Sequence, residues 1–197
     1  SDFGLFSVVG GVLAMFTFIS GSLASATSRF FNIEMGREGG DVNASFNINL
    51  LLHGAMAVIV LVLAETIGLW YICHHLNVEA GKLDEAVFVY QVSIVTACLG
   101  IINTPYQSLL TAHEKFGFLA AVDIVNSLLR LVCVLGLTLL PSAGLRLYSL
   151  IFALTTVTTF TAYHYMAFLR WRTTIRLRFV RGWRRYREVL VFNNWNL

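Results

Sequence analysis

The sequence carries less charge than a water-soluble domain of its length normally does. Aspartate, glutamate, lysine and arginine make up 13% of the 197 residues, and hydrophobic residues make up 57%. About a quarter of the residues in an average soluble domain are charged. This shortage of charge argues against a core folded in water and indicates that the lipid bilayer is the solvent.

Sequence signals for catalysis, metal binding and disulfide bonding are also missing. The three cysteines, Cys73, Cys98 and Cys133, form no close pair, and their odd number gives neither a disulfide framework nor a zinc pattern. The run Cys73-His74-His75 is typical of a loop at a helix end. The chain has no nucleophile elbow, no phosphate-binding loop and no paired carboxylates at catalytic spacing. We therefore predict no metal, no cofactor and no enzymatic activity.

The amino-terminus lacks the marks of a secretory signal peptide, which are a starting methionine, a basic segment and a cleavage site. Residues 1–4 resemble the middle of a loop, and the last residues, 193–197, stop where a new apolar run begins. Both ends predict that the chain is a piece of a longer membrane protein.

Long apolar runs are what the sequence does contain. Each is long enough to cross about 30 Å of hydrocarbon at a helical rise of about 1.5 Å per residue. They predict an all-α membrane protein with five transmembrane helices at about 5–27, 46–71, 87–111, 116–140 and 145–169, and the start of a further helix at 188–197.

Basic residues are concentrated in one predicted loop. Eight of the twelve arginines lie in residues 170–187, and the positive-inside rule places such a loop in the cytoplasm. The loops at 28–45 and 112–116 share that side. The two loops on the opposite side, 72–86 and 141–146, contain only Lys82 and Arg146 as basic residues.

Aromatic residues are interleaved with these arginines, as they are in some nucleic-acid-binding arms. Beside membrane spans the same composition predicts a different partner. Arginines attract anionic lipid headgroups, and aromatic rings such as those of Trp171 and Trp183 favour the interface. We therefore predict that residues 170–187 contact membrane lipids and that no nucleic acid is bound.

Charged and amide residues inside the predicted spans are the candidates for function. Asp123, Asn126 and Arg130 lie at positions i, i+3 and i+7, on one face of the fourth span. A charge near the bilayer centre costs roughly 2.5–3.5 kcal/mol, so such residues usually face the bundle interior or a watery cavity. Asp123 and Arg130 lie two turns apart, about 10 Å, which is too far for a close pair. Arg130 either lines a cavity or is paired within the protein.

Other polar residues within the spans have two possible roles. A polar face on the third span consists of Thr96, Gly100, Asn103 and Gln107. Asn103 and Gln107 either line a cavity or join helices by hydrogen bonds. His53, in the second span, is either a proton carrier or an interhelical hydrogen-bonding residue.

Several short motifs, in this order and spacing, resemble a known transporter family. They occupy residues 2–6 (DFGLF), 8–12 (VVGGV), 22–26 (SLASA), 29–31 (RFF), 34–37 (EMGR), 64–70 (AETIGLW), 105–106 (PY), 112–115 (AHEK) and 195–197 (WNL). Together they resemble a polysaccharide-type flippase, one that moves O-antigen or similar oligosaccharide units, of the multidrug/oligosaccharidyl-lipid/polysaccharide superfamily. The resemblance covers nearly the whole chain.

This resemblance implies a two-lobe transporter with six helices in each lobe around a central cavity. Residues 1–169 would then be part of the first lobe, with its helices two to six, and residues 170–187 would be the connection between lobes. The first helix and the second lobe would be missing, so we expect the piece alone not to transport. Flippases of anionic substrates are expected to have cationic cavity residues, for which Arg29 and Arg130 are the candidates.

The predicted function is translocation of lipid-linked oligosaccharides across the bacterial inner membrane, by alternating access, for surface polysaccharide synthesis. Arg130 would attract the pyrophosphate or acidic sugars, while Asn126, Asn103 and Gln107 would bind hydroxyls. Asp123 or His53 would couple transport to protons or sodium. One alternative is a drug/cation antiporter of the same superfamily, which would rely on Asp123. Another is a non-transporting assembly or anchor protein, which predicts no polar-lined cavity.

Overall fold

The computed structural model describes residues 21, 23–74, 83–139, 144–171 and 175–195. Within these ranges every regular element is a helix, which confirms the predicted all-α class. The helices are α1 (the helical residues 23–36), α2 (Val42–Leu63), α3 (Leu69–His74), α4 (Leu83–Ala112), α5 (Phe116–Leu139), α6 (Gly144–Trp171) and α7 (Trp183–Trp195). A π-helical segment, Ala64–Gly68, joins α2 to α3.

Two stretches of the described chain are long and apolar enough to cross a membrane, Val42–Ile72 and Leu83–Ala112. They give weak support for a membrane location and do not establish the five predicted spans. Most of the first predicted span, at 5–27, lies outside the described residues. The predicted spans at 116–140 and 145–169 coincide with helices α5 and α6.

Two predicted loops are shorter in the structure than in the sequence-based prediction. Helix α1 continues to residue 36 and α2 begins at Val42, so the predicted loop at 28–45 shrinks to residues 37–41. The Asp41 side chain caps α2 by accepting a hydrogen bond of 2.9 Å from the Ala44 N–H. Gly39, with φ of +73°, allows the turn. The predicted loop was too long because hydropathy identifies only the apolar part of a helix, whereas capping residues and glycines indicate where the helix ends.

The predicted basic loop at 170–187 is wrong in extent. Helix α6 continues through Arg170 and Trp171, the described non-helical part is 175–182, and α7 begins at Trp183 instead of at 188. Arginine is a good helix former, so a cluster of arginines does not by itself end a helix. Gly182, with φ of +123°, lies at the start of α7 and makes the turn.

Helix α4 is central in the packing of the bundle. It packs against α2 and α6 and, less extensively, against α5, while α6 also packs against α5 and α7 packs against α2. A buried cluster of Phe31, Phe46 and Leu109 joins α1, α2 and α4. The edge of the Phe46 ring meets Tyr106 of α4 with 5.1 Å between ring centroids.

The π-helical segment is held by side chains of α4. A π turn widens the helix, and its backbone groups need other partners in lipid. The Tyr90 hydroxyl donates to the Ala64 carbonyl at 3.0 Å, and the Gln91 amide donates to the Glu65 carboxylate at 3.0 Å. Gly68 faces the Tyr90 hydroxyl so closely that a Cβ at this position would collide with it.

Candidate functional site

A cavity of about 340 Å³ lies among α4, α5 and α6, with Gly21 also in its wall. Its volume falls in the range of small-molecule pockets, roughly 300–1,000 Å³. Four residues that the sequence singled out line it together, and they are Asn103 and Gln107 from α4 and Asp123 and Arg130 from α5. The fold thus brings polar residues of the third and fourth predicted spans into the wall of one cavity.

The α4 wall consists of the polar face predicted from its spacing. Thr96, Gly100, Asn103 and Gln107 all line the cavity, because gaps of four, three and four residues keep them on one side of a helix. Asn103 is 8% exposed, and its side-chain oxygen has no hydrogen-bond partner in the described part of the chain. A buried acceptor without a partner is costly, so this amide is suited to a ligand hydroxyl or a water molecule.

The α5 wall contributes a carboxylate and a guanidinium. In the described ranges neither Asp123 nor Arg130 forms an ion pair or a hydrogen bond, and both side chains are accessible. The Arg130 guanidinium carbon lies 4.8 Å from the centre of the Phe152 ring on α6. Stacking on an aromatic face orients the guanidinium and leaves its N–H donors free for an anion.

The α6 wall adds aromatic rings and hydroxyl acceptors. Phe152, Thr156, Thr159 and Tyr163 line the cavity. The hydroxyl hydrogens of two of them are used inside α6, since Thr159 donates to the Thr155 carbonyl at 2.9 Å and Thr156 donates to the Phe152 carbonyl at 3.3 Å. The Thr156 oxygen therefore remains an acceptor towards the cavity, whereas the Thr159 oxygen also accepts from the Asn126 amide at 2.6 Å and keeps one lone pair.

The α6 positions were missed at the sequence level, although a signal was present. Residues 152, 156, 159 and 163 repeat the four, three, four spacing of residues 96, 100, 103 and 107 on α4. Two helices with matching patterned faces that pack together can line a common space. The abundance of threonine in α6 obscured this pattern.

Asn126, predicted to bind substrate hydroxyls, does not line the cavity. Its amide donates to the Thr159 hydroxyl at 2.6 Å, and its own oxygen is buried without a partner in the described chain. At 3.6 residues per turn, position 130 lies about 20° from position 123 around the helix axis, whereas position 126 lies about 60° from it. Asn126 is therefore turned towards α6, where it joins the two helices.

Replacing Asn126 by alanine is expected to lower stability only slightly. Hydrogen bonds between membrane helices contribute about 0.6 kcal/mol on average and at most about 1.7 kcal/mol, and the substitution also removes a buried oxygen without a partner. We expect a small fall in the midpoint of thermal unfolding in detergent. Ser127→Ala, at the neighbouring exposed position, is the matched control. A large loss for Asn126→Ala would contradict this role.

Two other predicted site residues lie away from the cavity wall. His53 is 2% exposed, its Nδ1 is 2.8 Å from the Asn49 carbonyl, and its Nε2 has no partner in the described chain. Nearby, the Thr27 hydroxyl donates to the Asn49 side-chain oxygen at 3.4 Å. Arg29 is exposed on α1 and is not among the residues that line the cavity.

The described residues contain no group of three histidine, cysteine or acidic side chains placed to hold a metal ion. The side chain of Cys73 and all of His75 lie outside the described part of the chain. Comparisons with protein-family models, curated proteins and solved structures find no match to this chain. The function is therefore inferred from the residues of the cavity.

Proposed function

We propose that this chain belongs to a bacterial inner-membrane transporter that translocates lipid-linked oligosaccharides for surface polysaccharide synthesis. The observation that carries the proposal is Arg130, an arginine without an ion-pair partner in the described chain, in the wall of a polar cavity between helices. Intramembrane charges mark substrate pathways in membrane proteins. In this proposal α1, α2 with α3, α4, α5 and α6 all span the bilayer and belong to one lobe.

Arg130 supplies the anion-binding group of the proposed site. A guanidinium presents several N–H donors in one plane and pairs with phosphate oxygens through two parallel hydrogen bonds. The Phe152 ring, with its centre 4.8 Å from the guanidinium carbon, restricts where this plane can lie. A lipid-linked saccharide carries its pyrophosphate between the lipid and the first sugar, so Arg130 would place the sugars along the cavity.

The uncharged part of the cavity matches the hydroxyl groups of a saccharide. Asn103 offers a buried oxygen without a partner, and Gln107 offers an accessible amide. Thr156 and Thr159 offer hydroxyl oxygens as acceptors. A sugar hydroxyl can donate to such acceptors, and the half-buried Phe152 ring can pack against the apolar face of a sugar ring.

Transport would proceed by alternating access, in which this lobe moves against a second lobe. The proposed coupling groups are Asp123 in the cavity and His53, whose Nε2 is buried without a partner in the described chain. Proton or sodium binding to one of them would favour one orientation of the lobe. The polar-lined cavity supports a transporter over an anchor or assembly protein, for which no such cavity is expected.

A drug/cation antiporter is the second candidate because Asp123 lines the same cavity as Arg130. A cationic drug would be attracted by the carboxylate and repelled by the guanidinium. An anionic saccharide experiences the reverse, so the two candidates differ in the sign of the charge that is moved.

The test uses the full-length protein reconstituted in proteoliposomes. The two substrates are a fluorescent lipid-linked oligosaccharide with a pyrophosphate and a fluorescent cationic drug. We expect movement of the lipid-linked saccharide and restoration of surface polysaccharide in a strain that lacks its own flippase. Transport of the cation alone, with no restoration in that strain, would instead identify the antiporter.

A further inference from the structure

We propose that residues 175–187 form a built surface that binds the headgroups of anionic phospholipids. The proposal requires the membrane location and does not depend on translocation of any substrate. Composition alone predicts contact with lipids. The structure adds that the backbone of the segment is fixed against α2, with Val180 buried there and most of the arginines and large apolar side chains exposed.

Two asparagines in the first two turns of α2 hold the segment. The Asn43 side-chain oxygen accepts from the Arg176 N–H at 2.9 Å. Asn47 donates to the Arg176 carbonyl at 2.9 Å and accepts from the Arg178 N–H at 2.8 Å. Three backbone groups on one side of the segment are thus paired, as they would be along the edge of a strand.

Apolar contacts and a further hydrogen bond secure the end of the segment. Val180 and Val189 are buried against Ala44 and Ile48 of α2. The Tyr186 hydroxyl donates to the Val180 carbonyl at 2.9 Å and closes the turn into α7. The segment and α7 are therefore attached to the first turns of α2 at several points.

The position on α2 places this surface at the level of the headgroups. The apolar stretch Val42–Ile72 has 31 residues, which corresponds to about 46 Å of helix, whereas the hydrocarbon core of a bilayer is about 30 Å thick. Asp41 caps the start of this stretch and polar asparagines follow it, so its first turns are the part that extends beyond the hydrocarbon. Asn43 and Asn47 lie in these turns, so the segment they hold lies beside the polar layer.

Most of the arginines on this surface have no acidic partner. Arg185 lies 3.7 Å from Asp41, and Arg184 lies 3.6 Å from Glu188. The remaining exposed arginines, which are Arg176, Arg178, Arg181 and Arg187, form no ion pair within the described residues. A phosphodiester anion can accept two hydrogen bonds from each of these guanidinium groups.

Large apolar side chains accompany the free arginines. Leu177 is 80% exposed, Phe179 is 73% exposed and Trp183 is 74% exposed. Three such residues in one short segment would be unfavourable in water, whereas aromatic and aliphatic groups next to arginines are typical of interfacial membrane contacts. Charge complementarity selects an anionic leaflet as the occupant, with the rings entering the headgroup region.

The experiment measures quenching of Trp183 fluorescence by brominated lipids in nanodiscs that contain the full-length protein. Subtracting the signal of Trp183→Phe isolates this tryptophan from all the others in the protein. Brominated phosphatidylglycerol is compared with an equal fraction of brominated phosphatidylcholine. We expect stronger quenching by phosphatidylglycerol, and we expect high salt to reduce the difference because it screens exposed charges.

Charge variants test the contribution of the arginines. Arg178→Gln is expected to lower the preference for phosphatidylglycerol about fivefold, the factor that corresponds to about 1 kcal/mol per basic residue at a membrane surface. Arg37→Gln removes the same charge from an exposed arginine that is already paired with Glu34 at 3.7 Å, and it should leave the preference unchanged. Equal losses in both variants would overturn the proposed surface.

Asn47→Ala tests whether the surface is preorganised. It keeps every charge and releases the Arg176 carbonyl and the Arg178 N–H, while Asn43 still holds the Arg176 N–H. The preference should therefore fall, whereas an unchanged preference would overturn the role of Asn47. Equal quenching by both lipids in the wild type would overturn the proposal altogether. Displacement of phosphatidylglycerol by an equimolar isoprenyl pyrophosphate would also overturn the proposal, because that result would identify a substrate site. Arg130→Ala should retain the lipid preference, because Arg130 lines the cavity and is not part of this surface. A failure of the transport proposal can therefore be distinguished from a failure of the lipid-surface proposal.

Discussion

Arg130→Ala in the full-length protein is expected to abolish translocation of a lipid-linked saccharide. The guanidinium lines the cavity, is held over Phe152 and has no ion-pair partner among the described residues. Loss of one partner from a desolvated charge pair costs about 2–5 kcal/mol, which corresponds to at least about a 30-fold loss of binding. The measurements are initial translocation rates in proteoliposomes and surface polysaccharide in a flippase-deficient strain.

Arg146 provides a matched control for this prediction. Its guanidinium also stacks on a phenylalanine, with 5.6 Å to the centre of the Phe88 ring, but the residue does not line the cavity. Arg146→Ala removes the same charge and the same type of ring contact, and it should leave translocation unchanged. Arg130→Lys keeps the charge without the planar pair of donors and should retain part of the rate. Normal polysaccharide with Arg130→Ala would refute the assignment of Arg130.

Gly68→Ala is expected to cause the largest loss of stability among the variants considered. The added Cβ would collide with the Tyr90 hydroxyl, which donates to the Ala64 carbonyl of the π-helical segment. Either the ring moves and this hydrogen bond breaks, or α4 is displaced from α2. Overpacking of this kind costs about 1–3 kcal/mol. The measurement is the midpoint of thermal unfolding of the detergent-purified protein.

Gly54→Ala is the control because it makes the same change in the same continuous helical stretch, Val42–Ile72, but within α2. A Cβ at Gly54 meets nothing within 4 Å, and alanine is favoured over glycine in a helix by about 1 kcal/mol. This variant should be as stable as the wild type or slightly more stable. Adding Tyr90→Phe to Gly68→Ala should recover part of the loss, since the colliding oxygen is removed. Purely additive losses in the double variant would contradict the proposed collision.

The sequence was sufficient to locate helices and one polar wall. Apolar runs longer than twenty residues predicted the positions of α4, α5 and α6 closely, because a long apolar run between turn signals favours a helix. The spacing of residues 96, 100, 103 and 107 predicted one face of α4, because helical periodicity is a local property. The sequence left a cavity role and a structural role open for Arg130 and separately for Asn103, and only the fold shows that both line one cavity.

Features that depend on distant contacts were not predictable from local pattern. Nothing near Asn47 indicates that its amide pairs with the backbone of Arg176 and Arg178, about 130 residues later in the chain. The rotation of Asn126 towards Thr159 depends on how α5 is turned against α6. The π-helical segment similarly requires Tyr90 and Gln91 from another helix. Helix ends were missed because charged residues do not by themselves end a helix, and the mixed-charge residues 29–36 and Arg170 remain helical.

The attachment of α7 to α2 determines which helix α7 follows in any movement of the bundle. In sequence α7 comes after α6, but Asn43, Asn47 and the Val180–Val189 contacts fasten its approach segment to α2. A tilt of α2 would therefore move α7 in the same direction. The helix with which α7 would move is thus α2, although α6 precedes α7 along the chain.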